Sequence, residues 1–375
     1  MKKWFTIILA AAMITVFPVM AFADTSESDA SQDAGTATDE VVVTSGWQTD
    51  AATGEVCYLD ENGQKETGWQ TIEGEVYYFD SDGSLATGWK SIGKYKYYFA
   101  ESGTAGSGLG KMTTGWKSIG KYKYYFAESG EAGSGLGKLT TGWKTISGHK
   151  YYFATRGKLG STFGKMVTGP VKISGKWYFF KSSGIRSGKG FVKNGKSRYY
   201  CVGKGRLATG WTAIGKRAYY FSKKTAKQAI GTKIKYLKIG SKGYLGESYA
   251  RAIRLMDKRG WKLRTAYNYS KRLKYANRWM RKKSAESYAL YGFKYGKGNC
   301  YVMASTFYIQ AKLLGYNVHQ VEGRVDLPHS WTTIRQNGKL YVYDPNFENE
   351  TGRNGWKIWY GKKGTWRYNH YHNMN

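Results

Sequence analysis

The sequence has little cysteine: three cysteines occur among its 375 residues, at positions 57, 201 and 300. An odd number of widely separated cysteines is not typical of a disulfide framework, so a disulfide-stapled secreted scaffold is excluded. Cys57 and Cys201 each stand where a neighbouring repeated segment has an aromatic residue, and we interpret both as apolar substitutes. Cys300 belongs to no repeated segment and needs a separate explanation.

Acidic residues become scarce after residue 66. Residues 24–66 hold eleven acidic residues and one basic residue, a net charge of −10. Residues 67–375 hold fifteen acidic and 56 basic residues, a net charge of +41. So large a basic excess predicts a polyanionic partner. Because no nucleic-acid-binding motif is present, the predicted partner is an anionic polymer of the cell envelope and not nucleic acid.

Long hydrophobic runs are also missing, apart from one at the N-terminus. Residues 1–23 combine two lysines, an apolar run and a small-x-small site, Ala21-Phe22-Ala23, which together predict a secretory signal peptide. Residues 24–45 are rich in Ser, Thr, Ala and Asp and predict a disordered acidic linker. No later segment is long and apolar enough to predict a transmembrane segment. We therefore expect a secreted protein associated with the cell wall or cell surface.

Glycine and aromatic residues, in contrast, are abundant and regularly spaced. Gly-Trp pairs begin at residues 46, 68, 88, 115, 142 and 210, and each is followed by a turn glycine and, in most units, a Tyr-Tyr-Phe cluster. The block at residues 88–114 recurs at 115–141 with two substitutions. Such short periods are typical of arrays, here of β-hairpins that must stack to bury their aromatic faces. The sequence therefore predicts a β-hairpin repeat solenoid over residues 46–232.

These repeats resemble the cell-wall-binding family that choline-binding proteins, glucan-binding enzymes and some large toxins share. The resemblance implies ligand sites between successive hairpins, lined by aromatic side chains. The candidate ligand-binding residues are Trp69, Trp89, Trp116, Tyr124, Tyr125, Trp143, Tyr151, Tyr152, Trp177 and Trp211. The alternative is that these rings form only the core of the solenoid.

The residue before each Tyr-Tyr pair bears on which ligand the resemblance implies. Choline-binding members of the family usually have Trp there, which helps to surround a quaternary ammonium with rings. This chain has Val76, Lys123, Lys150 or Ala218 at that position, and Trp177 alone keeps the ring. A lysine beside the site would repel choline. We therefore expect a wall glycan or an anionic wall polymer as the ligand.

After residue 232 the repeats give way to helical periodicity. Apolar stripes predict one helix over residues 249–256, a second over residues 269–280 and a third from Cys300 to Leu314, with Gly315 as its stop signal. Short strands follow. Residues 240–375 are enough for one compact α+β domain.

Cys300 is expected to be the first residue of that third helix, with Asn299 as its N-cap. The positive end of the helix and its free backbone N–H groups favour the thiolate, which is the nucleophilic form of cysteine. The alternative is that Cys300 is a small buried apolar residue, as many free cysteines are. Position alone supports both interpretations equally.

Residues 329–345 predict a β-hairpin around an Asn-Gly turn at residues 337–338. A two-residue turn fixes the register, which places Trp331 opposite Asp344 and His329 opposite Asn346. His329 and Asp344 then share one face as diagonal neighbours, about 7–8 Å apart at the backbone. An imidazole and a carboxylate can meet across that distance, so the register itself predicts a His–Asp pair.

A nucleophilic cysteine, a histidine and a carboxylate are the groups that acyl transfer needs. Cys300 in GKGNC, His329 in HSW and Asp344 in YDP occur in an order that resembles the transglutaminase-like superfamily. The resemblance implies a papain-like fold, with Cys300 as nucleophile, His329 as general base and then acid, and Asp344 as the orienting carboxylate. The sequence has no Asp/Glu cluster that would indicate a calcium site, and we expect neither a cofactor nor a metal.

The fold class expected from the sequence is therefore multidomain: a β-hairpin repeat solenoid followed by an α+β papain-like or transglutaminase-like domain. The expected function is that of a secreted, envelope-associated thiol acyltransferase or hydrolase that acts on amide bonds of protein or peptide substrates, with hydrolysis favoured. The rival interpretation is a non-catalytic wall-binding adhesin whose transglutaminase-like domain has lost its chemistry. Retention of all three side chains argues against that rival.

Overall fold

A computed structural model of the chain describes residues 44–276, 284–325, 327–360 and 368–374, with the backbone alone for residues 369–372. The predicted signal peptide and residues 24–43 of the predicted linker lie outside the described residues. Within them, an array of β-hairpins leads into a smaller region of helices and one five-stranded sheet. No helix in these ranges is long and apolar enough to cross a membrane.

The array consists of antiparallel hairpins, which confirms the predicted repeat architecture. The strand pairs are β1 (Gly46–Thr49) with β2 (Val56–Leu59), β3 (Gly68–Ile72) with β4 (Glu75–Phe79), β5 (Gly88–Ile92) with β6 (Tyr95–Phe99), β7 (Gly115–Ile119) with β8 (Tyr122–Phe126), β9 (Gly142–Ile146) with β10 (His149–Phe153), β11 (Gly169–Ile173) with β12 (Lys176–Phe180), β13 (Gly190–Asn194) with β14 (Ser197–Gly203), β16 (Gly210–Ile214) with β17 (Arg217–Phe221), and β18 (Thr232–Ile234) with β19 (Leu237–Ile239). A short strand, β15 (Arg206–Leu207), joins the sixth and seventh hairpins into one sheet.

The hairpins stack through their aromatic side chains. Trp116 and Tyr125 are partners in the β7–β8 ladder and share one face, while Tyr124 points to the other face. The Trp116 ring centroid lies 5.1 Å from Tyr125, 5.1 Å from Tyr151 of the next hairpin and 5.7 Å from Phe153. The same three contacts recur at the tryptophans of the first, second, third and fifth hairpins. In these five hairpins the next hairpin therefore covers one side of each tryptophan.

A backbone hydrogen bond also links each of these hairpins to the one before it. The donor is an N–H group that follows the return strand, and the acceptor is a carbonyl near the start of the return strand of the previous hairpin, just before its Tyr-Tyr pair or, in the first hairpin, before Cys57-Tyr58. The donor–acceptor pairs are Leu85–Val56, Met112–Val76, Leu139–Lys96, Met166–Lys123 and Arg186–Lys150, at 2.7–2.8 Å. Because the main chain makes this link, valine and lysine are both accepted at that position.

Tryptophan also restricts the loop two hairpins further along the chain. A Cβ at Gly133 would lie 2.8 Å from Nε1 of Trp69, and a Cβ at Gly106 would lie 2.9 Å from Nε1 of Trp47. Both glycines have positive φ, at +75° and +71°. Glycine is therefore required at these positions both by backbone conformation and by space.

The C-terminal region has one central helix between other helices and a sheet. Its elements are α1 (Glu247–Arg259), α2 (Leu263–Lys271), β20 (Lys274–Tyr275), α3 (Ala285–Tyr295), β21 (Lys297–Gly298), α4 (Cys300–Leu314), β22 (Val318–Arg324), β23 (Pro328–Gln336), β24 (Lys339–Tyr343), α5 (Pro345–Thr351), β25 (Ile358–Trp359) and β26 (Asn369–Asn373). The sheet has the order β25-β24-β23-β22-β26, and nearly all of α4 is buried.

The eighth hairpin packs directly against this region. Ala218 and Leu245 exchange two backbone hydrogen bonds, at 2.8 and 3.0 Å. Ala218 and Leu237 share a buried core with Ile253 of α1, and the guanidinium of Arg254 donates to the carbonyl of Gly215. The last strands of the array are therefore covered by a helix, which removes the need for a further aromatic hairpin.

The predicted first and third helices are confirmed as α1 and α4, but the predicted helix over residues 269–280 is wrong. Helix α2 begins earlier, at Leu263, and ends at Lys271. The N–H groups of Lys274 and Ala276 donate to the carbonyls of Gly296 and Gly298, which draws this segment into the short parallel pair β20–β21. Residue 280 lies outside the described residues. Helix α3, capped by Ser284, was not predicted.

The predicted hairpin after residue 329 keeps its register for five residue pairs, from Gln336–Lys339 to Thr332–Tyr343. The expected pairings of Trp331 with Asp344 and of His329 with Asn346 are wrong, because the chain leaves the sheet after Tyr343. Asp344 is the N-cap of α5. Proline at the first helical position, residue 345, has a φ suited to a helix, which explains why the strand stops there.

The close approach of loop and tryptophan predicts a specific stability effect. Gly133→Ala should destabilise the array more than Gly148→Ala, because both glycines have φ of +75° but nothing lies within 4 Å of a Cβ at Gly148. The extra cost should be on the order of 1–3 kcal/mol, as for overpacking of a rigid ring. Urea denaturation followed by tryptophan fluorescence measures the difference. Equal midpoints for the two variants would contradict the predicted clash.

Candidate functional site

Cys300 is the first residue of α4, and Asn299 is its N-cap. The Asn299 side-chain oxygen accepts a hydrogen bond from the Val302 N–H at 3.4 Å. Glycine at position 298 lets the turn close, since a Cβ there would be 2.4 Å from Cβ of Val302. The half-buried Cys300 thus lies at the positive end of a long helix, where negative charge on sulfur is stabilised.

The structure brings His329 and Asp344 together. Nε2 of His329 is 2.7 Å from Oδ2 of Asp344, and the side chain of Cys300 lies close enough to the imidazole to affect its pKa. Burial lowers the pKa of His329, but the Asp344 carboxylate and the Cys300 sulfur more than offset burial and raise this pKa to about 10. The fold therefore brings the three sequence-predicted residues together at one site.

The Asp344 carboxylate is 1% exposed and has two further donors. The hydroxyl of Tyr368 donates to Oδ2 at 3.0 Å, and the N–H of Phe347 donates to Oδ1 at 3.0 Å. Burial and the Asp344 charge both raise the pKa of Tyr368, which keeps its hydroxyl a donor. These contacts fix the orientation of the carboxylate toward His329.

Tyr368 was missed by sequence reasoning. It is one of 33 tyrosines, and no local pattern distinguishes it. In the structure it is buried, and its ring centroid lies 4.8 Å from that of Trp331. Only the folded chain shows that this residue reaches the carboxylate of the His–Asp pair.

A buried polar network joins α4 to the strands that carry His329. Ser305 donates to Oε1 of Gln320 at 2.7 Å, and Nε2 of Gln320 donates to the hydroxyl of Ser330 at 2.9 Å. Gln320 also donates to the carbonyl of Tyr301, at 3.3 Å. Because these side chains are fully buried, each hydrogen bond is costly to lose. The network holds the helix bearing Cys300 in a fixed position relative to the sheet.

A cleft of about 300 Å³ opens onto the three residues. Its lining is Tyr275, Cys300, Val325, Leu327, Pro328, His329, Asp344, Asn346, Phe347, Glu350 and Thr351. Tyr275 reaches the cleft because strand β20 pairs with β21, immediately before α4. Within the described residues, no group of three or more His, Cys, Asp or Glu side chains could hold a metal ion.

The candidate ligand-binding rings of the array differ in exposure. Tyr124, Tyr125 and Tyr151 are buried between hairpins. The remaining rings are half-buried or exposed, and Trp143 is 42% exposed. The half-buried rings are Trp69, Trp89, Trp116, Tyr152, Trp177 and Trp211. The surface that the array offers to a ligand is therefore made mainly by tryptophan, and the tyrosines belong mostly to its core.

Basic side chains occupy the space above some of these rings. Nζ of Lys123 lies 4.9 Å from the ring centroid of Trp116, and the guanidinium of Arg198 lies 5.2 Å from that of Phe191. Both residues directly precede a Tyr-Tyr pair. The sixth hairpin has Trp177 at that position, but its first strand has Pro170 where the first five hairpins and the eighth have Trp. In the fourth and seventh hairpins, a basic side chain of the protein therefore already lies over the ring. An external quaternary ammonium would need that same position.

Comparison with known protein families places the array among wall-binding repeats. Residues 66–108 match a choline-binding repeat, and residues 114–132, 141–159 and 171–185 match a cell wall binding repeat. All four matched ranges lie within the hairpin array, so they do not bear on the C-terminal region. No curated protein matches the sequence.

Solved structures of choline-binding proteins resemble part of the chain. Choline-binding protein F from Streptococcus pneumoniae, solved with a peptidoglycan analogue, is 28% identical over 50% of this chain and 60% of its own, with a TM-score of 0.37. The choline-binding domain of CbpL from the same organism is 23% identical over 54% of this chain and 98% of its own, with a TM-score of 0.33. The cell wall endolysin of phage Cp-1, solved with choline, is 26% identical over 38% of this chain and 37% of its own, with a TM-score of 0.25.

The chain thus spans 60% of the length of choline-binding protein F. The repeat matches and the stacked hairpins together concern one part of the chain. Residues between 66 and 185 are cell-wall-binding repeats of the choline-binding type.

Proposed function

We propose that the protein is a cell-wall-associated, cysteine-dependent acyltransferase or amide hydrolase with a transglutaminase-like, papain-like C-terminal domain. The observation that carries this proposal is the convergence of Cys300, His329 and Asp344 on one cleft, with 2.7 Å between Nε2 of His329 and Oδ2 of Asp344. The hairpin array would hold this site at the wall. On this proposal the protein is exported and acts at the cell surface.

The geometry suits nucleophilic acyl transfer. The Cys300 thiolate attacks the carbonyl carbon of an amide and forms a C–S bond, while the His329 imidazolium gives its proton to the nitrogen that leaves as the C–N bond breaks. The neutral imidazole then takes a proton from the acceptor, which attacks the thioester and releases Cys300. Asp344 holds the imidazole in the orientation for both steps and stabilises its positive charge.

The acceptor of the acyl group decides between hydrolysis and cross-linking. Cys300 is half-buried and opens onto a cleft, so water can reach the thioester. We favour water as the acceptor, which makes the protein a peptidase or amidase acting on protein or peptide substrates. An amine that fills the cleft and displaces water would instead give transamidation.

The array's ligand is a wall glycan or an anionic wall polymer on this proposal. The net charge of +33 over the whole chain attracts a polyanion. Lys123 and Arg198 lie over aromatic rings and repel an incoming quaternary ammonium. The match to choline-binding repeats keeps choline as the competing ligand.

A non-catalytic wall-binding adhesin is the second candidate. The observation that favours it is the packing of Cys300, which contacts a buried cluster formed by Leu273, Tyr288, Tyr301, Val302 and Met303. On that interpretation the sulfur is an apolar packing group, and its proximity to His329 has no chemical role.

Selective alkylation separates the two candidates. In the full mature chain at about pH 6, iodoacetamide should label Cys300 rapidly, because a thiolate reacts and a thiol does not. His329→Ala should slow that labelling sharply, since the imidazolium that stabilises the thiolate is lost. Fully buried Cys201 should stay unlabelled and half-buried Cys57 should react slowly, with or without His329, as internal controls. Adducts are mapped by mass spectrometry.

Labelling of Cys300 that is slow in the native protein and appears only on unfolding would mean a packing cysteine, and the enzyme proposal would be abandoned. Cys300→Ala should abolish amide cleavage while leaving wall binding intact. Loss of wall binding in this variant would contradict the separation of the two roles.

The raised pKa of His329 predicts a titration that nuclear magnetic resonance can follow. The imidazole should stay charged at neutral pH and lose its proton near about pH 10. Since its pKa is 6.5 when unfolded, the pair stabilises the fold fully below that pH, and this contribution is lost as pH rises through about 10. Asp344→Asn should shift the His329 titration to lower pH, because burial then dominates. Tyr368→Phe removes a hydroxyl and leaves the carboxylate, so it should keep His329 charged at neutral pH.

A His329 signal that titrates near 6.5 in the native protein, or that is unmoved by Asp344→Asn, would contradict the charged pair. Assignment is direct because the chain has five histidines and a His329→Gln variant removes one signal.

Choline should compete poorly for wall binding by the native chain. Lys123→Trp replaces the internal cation over Trp116 with a ring and should make bound protein more sensitive to choline elution. The measurement is retention on purified walls at rising choline and, separately, at rising salt. Elution of the native chain by millimolar choline would contradict this prediction. Complete loss of retention at about 1 M salt, where the Debye length is about 3 Å, would mean purely electrostatic binding.

A further inference from the structure

Trp211, the tryptophan of the eighth hairpin, differs from the tryptophans of the first five. It packs against Tyr220 of its own hairpin, with ring centroids 5.1 Å apart. In the earlier hairpins a tyrosine and a phenylalanine of the next unit complete the contact, as Tyr151 and Phe153 do for Trp116. The ninth hairpin, β18–β19, has no Tyr-Tyr-Phe cluster. No following repeat therefore covers Trp211, which instead packs partly against the core of the C-terminal region.

The C-terminal region leaves a cavity at this place instead. A pocket of about 450 Å³ lies between the eighth hairpin and the end of α4. Its lining includes the charged side chains of Lys223, Lys235, Lys312 and Asp257 and the last residues of α4. Trp211, Tyr220 and Trp261 supply three aromatic rings to it, two from the array and one from the turn between α1 and α2. We call it the junction pocket.

The polar groups of the junction pocket are mostly basic. Lys223 and Lys235 are exposed at its rim, and Lys235 lies along Gly315, where a Cβ would meet its side chain at 2.2 Å. Asp257 is engaged with Trp261, whose Nε1 donates to Oδ1 at 2.9 Å. This bond fixes the Trp261 ring. With Lys312, the lining holds three lysines against this one aspartate. The balance of charge at the pocket is positive.

We propose that the junction pocket binds a sugar residue that carries a phosphate or carboxylate group, as a unit of an anionic wall polymer; this rests on the wall anchoring proposed above. The apolar face of a pyranose packs well on aromatic rings, and Trp211 and Trp261 provide such surfaces. Lys223 and Lys235 are placed to pair with an anionic substituent. A quaternary ammonium would find the rings but would be repelled by both lysines.

The position of the pocket has a consequence for the C-terminal site. Helix α4 begins at Cys300 and ends at Leu314, which lines the pocket. At 1.5 Å per residue, the bound sugar lies roughly 20 Å from the thiol. A polymer bound here would therefore present to Cys300 an amide that lies several units away along the polymer, and not an amide next to the bound sugar.

The test uses the full mature chain, labelled with ¹⁵N, and follows the indole N–H signals of Trp211 and Trp261, assigned with Trp→Phe variants. The probes are N-acetylglucosamine 6-phosphate, N-acetylglucosamine, inorganic phosphate and choline. The sugar phosphate should shift both signals and bind about tenfold more tightly than the neutral sugar, as one charge-assisted contact allows. Inorganic phosphate and choline should bind more weakly than the sugar phosphate.

Lys223→Ala should weaken binding of the sugar phosphate about tenfold, and Lys224→Ala, a neighbouring exposed lysine outside the pocket, should leave it within about twofold. Trp261→Leu, which keeps apolar volume and removes the ring, should also weaken it. Unchanged binding in Lys223→Ala or in Trp261→Leu would overturn the proposal. So would shifts of the two indoles by choline or inorganic phosphate that match those caused by the sugar phosphate.

These measurements are independent of the Cys300 chemistry. Labelling of Cys300 by iodoacetamide should proceed at the native rate in Lys223→Ala and Trp261→Leu, because neither residue touches the catalytic cleft. A junction pocket that binds the sugar phosphate beside an unreactive Cys300 would leave this inference standing and defeat the enzyme proposal. The reverse result would defeat this inference alone.

Discussion

The structure depends on one constraint: a two-stranded hairpin cannot bury its own tryptophan. Trp116 is covered on one side by its ladder partner Tyr125 and on the other by Tyr151 and Phe153 of the next hairpin. Each unit is therefore stable only within a stack, and the stack must end against something other than another hairpin. The C-terminal region supplies that end by packing α1 against the eighth hairpin. The same constraint leaves Trp211 facing a cavity.

The C-terminal region brings three residues that are distant in the sequence to one point. Cys300 is fixed by the start of a buried helix, His329 by the start of a strand and Asp344 by the end of the next strand. Gln320 connects the helix to the sheet, and Tyr368 donates to the same Asp344 oxygen that His329 contacts. A half-buried thiol at a helix N-terminus, a histidine with a raised pKa and a buried carboxylate are together costly to maintain, which is typical of a functional site.

Short sequence signals correctly predicted the features that interactions between neighbouring residues determine. Asn299 and Gly315 mark the ends of α4, and the Asn-Gly turn sets the register that brings His329 near Asp344. Interactions between distant segments were not predictable. The β20–β21 pairing replaced an expected helix because Lys274 bonds to Gly296, and Tyr368 reaches Asp344 only through the fold. The repeats were predictable because their period is written in the sequence, whereas the junction pocket arises where that period stops.

The most direct test of the central claim is the ultraviolet absorbance of the thiolate, measured as the difference between the native chain and Cys300→Ala across pH. Contributions from the other two cysteines and from all tyrosines cancel in this difference. If His329 and Asp344 keep Cys300 ionised, the difference signal is already present at about pH 6 and disappears in the His329→Ala background. A signal that rises only near the ordinary pKa of a free thiol, about 8.5, would show that the three residues meet without acting together.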